Sequence, residues 1–320
     1  MLFDPDRHEA HCDTPWDDTR AHAAIRAIAH DIEQHRLDGH WRAHPLDDEG
    51  DEPADGCKSL YLGSAGVLWA LWYLQRQGAV ELASDPAGLI EQAHADYLRA
   101  PDTGEVVPSY FLGEAGILLL WWRLTGSAEA ADRLYTTIES NIANPTNEAL
   151  WAAPGTMVAA WQLWEATHDA RWRELFLRNV DQLWRTWLFD DKAQCHLWTQ
   201  DMYGRMTHFP LHQSAEIDRL LIAAGHAVWQ AGPLTKGYGV CHGTAGNGHA
   251  FLTLYQRTGD PLWLQRARAF AMHSIAQQQR MRREHGQGRY TLWTGDPGLA
   301  VCLWQCLQGT SGLPALDTLQ

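Results

Sequence analysis

The sequence predicts an all-α fold, an α/α toroid in which helical hairpins surround a central cavity. Three observations lead to this prediction: a short motif of small residues recurs, an apolar segment follows each copy, and amphipathic segments lie between the copies. No segment shows sustained alternation of apolar and polar residues, so few strands are expected. Recurrence of this kind is typical of stacked units that bury one continuous core.

The recurring motif has the form Gly/Ala-x-Ala/Pro-Gly and follows an aromatic or apolar lead-in. Its five copies begin at Gly63, Gly113, Ala152, Gly243 and Gly295. The apolar run after each copy predicts an inner helix of about three to four turns. Segments 169–188 and 260–280 have apolar residues three and four positions apart, so they predict outer helices that pack on inner ones.

The spacing of the copies sets the predicted domain organisation. The interval between the third and fourth copies is roughly two repeats long, with no recognisable motif at its middle. We expect an N-terminal extension over residues 1–50 and a single toroid domain over residues 51–320.

Composition excludes several classes of partner. The formal net charge is −14 and no basic block offsets it, which argues against a nucleic acid or a membrane surface as partner. No apolar run reaches the roughly 18 residues that span a bilayer, and the acidic N-terminus is unlike a signal peptide. The six cysteines form no CxxC pair, so we expect reduced thiols and a cytoplasmic location.

The most informative segment is Leu234–Asp260, where Cys241 and His242 stand between glycines. A thiolate and an imidazole are both zinc ligands. The glycine turn leads into a predicted helix, whose N-terminal N–H groups and dipole favour a thiolate. The pattern therefore indicates either a metal site or a reactive thiol.

This segment closely resembles the CHG motif of the LanC-like (lanthionine synthetase C-like) family, and the resemblance extends from about Ser59 to Leu307. It implies an α/α toroid with zinc in the central cavity, and Cys241 and His242 as zinc ligands. The implied activity is addition of a thiol to dehydroalanine or dehydrobutyrine. The implied partners are a peptide with dehydrated Ser or Thr, or a glutathione-like thiol. Lys236 would hold an anionic group of the substrate.

The chain also departs from the family pattern. The fourth-repeat motif, which carries the family's catalytic histidine, and the fifth-repeat motif, which carries the first cysteine ligand, are not found. The residues before 209–214 resemble the segment that leads into the family's fourth repeat, and the residues after it resemble the helix that follows the fifth repeat. The sequence therefore predicts an internal deletion near 209–214. The candidates for replacement ligands are Cys195, His196, His208, His212 and His226.

Three hypotheses remain open from the sequence. The first is a zinc-dependent thioether-forming enzyme. The second is a non-catalytic LanC-like scaffold or peptide-binding protein without a complete zinc site. The third is a carbohydrate-active toroid, which usually needs two facing carboxylates, for which Glu114 and Asp296 are available. Both carboxylates also fit a purely local function as charges at helix N-termini, and Lys236 also fits a solvated loop.

Overall fold

The computed structural model describes residues 4–47, 53, 55–192, 194–200, 205–207 and 215–317. Its regular structure is mainly helical, and the predicted all-α class, with the hairpin repeats of an α/α toroid, is confirmed. The helices of the described residues are α1 (Asp18–Gln34), α2 (Ser64–Arg76), α3 (Ala87–Arg99), α4 (Glu114–Thr125), α5 (Ala128–Asn141), α6 (Ala153–Thr167), α7 (Ala170–Arg185), α8 (Ala215–Ala231), α9 (Thr244–Thr258), α10 (Pro261–His285) and α11 (Asp296–Gln308). None of them is both long and apolar enough to cross a membrane.

Inner and outer helices differ as the sequence predicts. The inner helices α2, α4, α6, α9 and α11 each begin within a copy of the motif, and α11 is buried at every residue from Asp296 to Cys306. The outer helix α7 buries only Trp172, Leu175 and Asn179, on one face. Helix α4 packs on α5, α6 on α7, and α9 on α10, so neighbouring inner and outer helices form hairpins.

The chain divides into two compact units. The first unit comprises residues 1–51, 66–85 and 212–320, and the second comprises residues 52–65 and 86–211. In the first unit, α9 packs on α8, α10 and α11, and α1 packs on α11. In the second unit, α4 packs on α3, α5 and α6. The predicted N-terminal extension thus contains α1. The predicted deletion near 209–214 lies outside the described residues.

The first helical residue after the motif's first glycine is held by a loop of constant length. The N–H of Ser64 donates to the carbonyl of Cys57 at 3.0 Å, and that of Glu114 to Val107 at 2.9 Å. Thr244 pairs in the same way with Gly237, and Asp296 with Arg289, both at 2.8 Å. In each case the carbonyl lies seven residues earlier, so the loop satisfies a helix N-terminus that would otherwise lack a partner.

The second glycine of the motif is needed because two stretches of backbone approach closely. In four copies of the motif, a Cβ on this glycine would overlap the carbonyl oxygen of the residue six positions earlier, and only a shift of the loop backbone could relieve that overlap. The pairs are Gly116 with Tyr110, Gly155 with Ala149, Gly246 with Val240, and Gly298 with Leu292. Close approach therefore explains why this glycine recurs.

The third copy, in which Ala152 replaces the first glycine, uses a different loop. The carboxylate of Glu148 accepts hydrogen bonds from the N–H groups of Leu150 and Trp151, both at 2.7 Å. The N–H of Ala152 donates to the carbonyl of Glu148 at 3.0 Å. In this copy the Glu148 side chain satisfies part of the backbone N–H groups before the helix. Ala152 is fully buried.

The second unit also contains a small antiparallel sheet. Strand β1 (Leu188–Asp190) pairs with β2 (Cys195–Gln200), which pairs with β3 (Arg205–Thr207). Few strands were expected, and these are short. Their position was not predicted, because such short segments show no clear alternation.

Candidate functional site

The Cys241–His242 pair lies on the loop that leads into α9. The Sγ of Cys241 is 3.6 Å from Nε2 of His242, and both side chains are exposed in the structure. The two residues are neighbours in the chain, so the turn itself brings the sulfur and the imidazole nitrogen together. The predicted pair is therefore one accessible thiol–imidazole site.

The surroundings of His242 favour its neutral form. Partial burial lowers the pKa of this histidine, and the positive charges of Lys236 and Arg289 lower it further. A neutral imidazole has a lone pair that can bind a metal or accept a proton. Lys236 is exposed and close enough for its charge to act on His242. Its predicted contact with substrate remains a prediction.

The N-terminus of α9 differs from the sequence-based expectation. The N–H groups of Thr244, Ala245 and Gly246 donate to the carbonyls of residues 237, 238 and 239, at 2.8, 3.4 and 3.3 Å. They are therefore not directed at the Cys241 sulfur. The sequence suggests that the helix dipole and hydrogen bonds from these N–H groups would both favour a thiolate at Cys241. In the structure these three N–H groups do not bond to the sulfur, so only the dipole effect applies to them.

Two contacts fasten this loop to the loop before α11. The N–H of Cys241 donates to the carbonyl of Trp293 at 2.8 Å. The hydroxyl of Tyr238 donates to Oδ1 of Asp296 at 2.5 Å, inside the protein. The two loops lie so close that a Cβ on Gly239 would come within 2.6 Å of the carbonyl oxygen of Thr294.

Asp296 is a buried carboxylate with neutral hydrogen-bond donors. It is 1% exposed, and its Oδ2 accepts a hydrogen bond of 3.2 Å from the side-chain amide of Gln278. Burial raises the pKa of Asp296 to about 6, although the hydrogen bonds from Tyr238 and Gln278 act in the opposite direction. Burial also raises the pKa of Tyr238 well above its usual value, and the carboxylate of Asp296 adds to that effect.

A second carboxylate, that of Asp31, belongs to the same buried cluster as Asp296 and Tyr238. Asp31 accepts hydrogen bonds from the Arg282 guanidinium, with Nη2 at 2.5 Å from Oδ1, and from the Tyr290 hydroxyl at 2.9 Å. Sequence analysis did not identify Asp31, Arg282 or Tyr290, because they belong to no motif and only the fold brings them together. Tyr238 was also missed, although it lies within the informative segment.

Glu114, the other acidic residue considered from the sequence, is enclosed by donors in the second unit. Its carboxylate accepts hydrogen bonds from His94 at 2.8 Å and Thr137 at 3.3 Å, and from Nε of Arg133. Burial alone would raise the pKa of Glu114, but the hydrogen bonds and charges of His94 and Arg133 outweigh it and lower the pKa. These contacts support a structural function for Glu114 rather than that of a general base.

Cys241 and His242 fit zinc in the kind of donor they offer. Structural zinc sites need four protein ligands and catalytic sites usually three. The part of the chain that the structure describes contains no group of three or more His, Cys, Asp or Glu side chains arranged to hold a metal. The described residues therefore supply two suitable donors and do not complete a zinc site.

The structure describes three of the five suggested replacement ligands. His226 lies on α8, where its Nδ1 is 2.9 Å from Nη1 of Arg266 and its ring is 5.0 Å from that of Trp263. Cys195 and His196 lie on β2 in the second unit. His208 and His212 are outside the described residues.

Comparison with known proteins supports the resemblance seen in the sequence. Residues 199–312 match the family described as lanthionine synthetase C-like protein. A 50-residue stretch, 16% of the chain, is 54% identical to "Glutathione S-transferase LANCL1" of Danio rerio. A stretch of 86 residues, 26% of the chain, is 41% identical to "LanC-like protein GCL1" of Arabidopsis thaliana. These matches span 12% and 19% of the two relatives' own lengths.

Among solved structures, the GH76A alpha-1,6-mannanase from Salegentibacter sp. HEL1_6 aligns with a TM-score of 0.38 and 15% identity. That alignment covers 80% of this chain and 70% of the mannanase. The family match over residues 199–312, a range that includes Cys241 and His242, and the two partial matches to relatives support the resemblance to LanC-like proteins.

Proposed function

We propose that this LanC-like protein adds a thiol to dehydroalanine or dehydrobutyrine, with zinc as its cofactor. The substrate would be a peptide with dehydrated Ser or Thr, and the thiol a cysteine of that peptide or a glutathione-like molecule. In this reaction the sulfur bonds to the β-carbon of the alkene and the thiol proton ends on the α-carbon, so no oxidant or reductant is consumed. A reducing cytoplasm, predicted from the cysteine pattern, would keep such thiols available.

The observation that carries the proposal is the accessible pair of Cys241 and His242, with 3.6 Å between sulfur and nitrogen. These two residues would hold the zinc, which lowers the pKa of a bound thiol and so increases the fraction of thiolate. The lowered pKa of His242 keeps its imidazole neutral and available. The exposed ammonium group of Lys236 would attract a carboxylate of the thiol substrate.

A second candidate is a non-catalytic LanC-like scaffold that binds a peptide or a protein partner. One specific observation favours it: within the described residues no third metal ligand joins Cys241 and His242. The two candidates differ in a measurable property, because only the first requires a bound metal.

The discriminating experiment measures zinc per chain in protein purified without added metal. We expect about one zinc in the wild type and none in Cys241→Ala or His242→Ala. Cys12→Ala serves as the matched control, because this half-buried cysteine lies on a different segment, and it should retain the metal. Loss of zinc in Cys195→Ala would identify Cys195 as a third ligand.

The activity assay uses glutathione and a peptide that contains dehydroalanine, with the mass of the adduct as readout. Adduct formation that depends on Cys241 and on zinc would support the proposed enzyme. Folded wild-type protein that contains no zinc and forms no adduct would contradict the proposal and favour the scaffold.

A further inference from the structure

The buried cluster around Asp296 has no part in the proposed thiol chemistry, although it lies against the loop that carries the thiol. Its members on that side are Tyr238, Asp296 and Gln278. Its far side is formed by Asp31 and Tyr290. A Cβ on Gly288 would lie 2.9 Å from Oδ2 of both Asp296 and Asp31, so the two carboxylates border the same point in the core.

The cluster reaches the site through two fixed contacts. Tyr238 precedes Cys241 by three residues, and Trp293 precedes Asp296 by three residues. The Tyr238–Asp296 hydrogen bond and the backbone bond from Cys241 to Trp293 therefore join the same two loops at matched positions. If the Cys241 backbone moved, its own bond to Trp293 would break or the Tyr238–Asp296 hydrogen bond would be strained.

We propose that Asp296 and Tyr238 are positioning residues, which hold the Cys241–His242 turn in the geometry that its thiol chemistry requires. The mechanistic part of this inference rests on the proposed function. The mechanical part, that the pair determines how exposed and how ordered Cys241 is, does not depend on it. Both residues act through the loop backbone, because the contacts that join the two segments are the Tyr238–Asp296 hydrogen bond and the backbone bond from Cys241 to Trp293.

Charged and titratable groups face Asp296 from every neighbouring element. Asp31 approaches from α1 and Arg282 from α10, while Arg289 and Tyr238 approach from the loops. Arg289 is itself paired with Asp47, with Nε at 2.7 Å from Oδ2. Arg282 is likewise paired with Asp31. Asp296 is left with neutral donors, the Tyr238 hydroxyl and the Gln278 amide.

This arrangement makes the contact sensitive to pH. Burial raises the pKa of Asp296 to about 6, so mild acid converts the carboxylate to the neutral acid. A hydrogen bond to a charged acceptor is roughly twice as strong as one to a neutral acceptor. The contact between Tyr238 and Asp296 should therefore weaken as the pH falls through about 6.

The test measures the rate at which iodoacetamide alkylates Cys241, followed on the peptide by mass spectrometry between pH 5 and pH 8 in the presence of a chelator. The variants are Tyr238→Phe, Asp296→Ala and Asp296→Asn. The control is Glu114→Gln, which changes the same motif position in the second unit. Chelator and alkylating agent make the measurement independent of zinc and substrate.

We expect Tyr238→Phe and Asp296→Ala to change the rate by about three- to tenfold, the effect of one lost buried hydrogen bond. At pH 8, Asp296→Asn should show the rate change that the wild type shows only below about pH 6, because its amide oxygen is a neutral acceptor like that of the protonated acid. It should also lose the step near pH 6 that the wild type shows. Glu114→Gln should leave the rate and its pH profile unchanged.

A wild-type rate in Tyr238→Phe would overturn the proposal, and so would a pH step that persists in Asp296→Asn. If Asp296→Ala does not fold, the other two variants carry the test, because each is nearly isosteric with the original residue. An altered alkylation rate in a protein without zinc and without thiol addition would support the positioning and refute the proposed enzyme. An active zinc protein whose Tyr238→Phe variant alkylates normally would do the reverse.

Discussion

Glu114 and Asp296 occupy the same place in two copies of one motif, and their electrostatic surroundings are opposite. Each follows a glycine N-cap and is the first residue of an inner helix. Each N–H donates to a carbonyl seven residues earlier, at 2.9 and 2.8 Å. The pKa of Glu114 is nevertheless lowered, whereas that of Asp296 is raised.

The difference comes from the partners that the fold supplies. Glu114 meets a guanidinium, an imidazole and a hydroxyl, whereas Asp296 meets a hydroxyl and an amide. Cationic donors stabilise a buried carboxylate, and neutral donors compensate only part of its desolvation. A repeated motif thus determines the local backbone, while the chemistry of the residue it carries depends on distant parts of the chain.

The largest effect should come from the glycines that the two turns share. Gly116→Ala and Gly298→Ala each place a Cβ on a carbonyl oxygen, of Tyr110 and Leu292, so we expect each to lower the free energy of unfolding by about 3 kcal/mol or more. Gly88→Ala is the control, because its Cβ would have no atom within 4 Å, and it should change stability by less than about 1 kcal/mol. Urea denaturation measures all three. Equal stabilities would disprove the close-approach explanation.

The next largest effect on stability should come from removing the charge of each carboxylate in turn. Glu114→Gln removes the charge that Arg133 and buried His94 share, and we expect a loss of about 2 kcal/mol at pH 7. Asp296→Asn removes a charge with no cationic donor bonded to it, so we expect little loss or a gain of stability. Chemical denaturation at pH 7 compares the two variants. If both lose the same stability, the partners do not explain the contrast.

The pH dependence of stability sharpens the same contrast. The pKa of Asp296 is about 6 in the fold and near 3.8 when exposed, so its contribution is fully present below pH 3.8 and disappears as the pH rises through about 6. The stability of wild type relative to Asp296→Asn should therefore increase by about 1 kcal/mol from pH 7 to pH 5.

Glu114 has the reverse sign. Its pKa is lowered below 4.5, so its contribution is present above that pH and is lost as the pH falls through the lower value in the fold. The difference between wild type and Glu114→Gln should stay constant from pH 7 to pH 5 and shrink in stronger acid. A difference that grows between pH 7 and pH 5 would show that the charge of Glu114 is not stabilised as its contacts indicate.

The smallest effect on stability should come from the site itself. Cys241 is exposed, so Cys241→Ala should change the free energy of unfolding by less than about 0.5 kcal/mol in the presence of a chelator. Without the chelator, a larger loss in the variant would be evidence that bound metal stabilises the wild type. Thermal unfolding with and without chelator provides the comparison.

Much of the fold was predictable because its cause is local. The motif of small residues and the apolar run after each copy correctly placed the starts of five inner helices, and the Cys-His dipeptide marked the accessible turn. The contacts between Tyr238 and Asp296, and between Asp31 and Arg282, join residues far apart in the chain. No local pattern encodes such pairs. The short sheet was missed for a related reason, because its strands are stabilised by pairing and not by periodicity.

The constant loop of seven residues has a consequence for protein engineering. Because backbone hydrogen bonds and two glycines fix the turn, the position after the first glycine is compatible with side chains of different chemistry. That position carries Ser64, Glu114, Thr244 and Asp296 in four copies of the motif. A library that varies it while keeping both glycines would place new functional groups at a helix start with the backbone already defined.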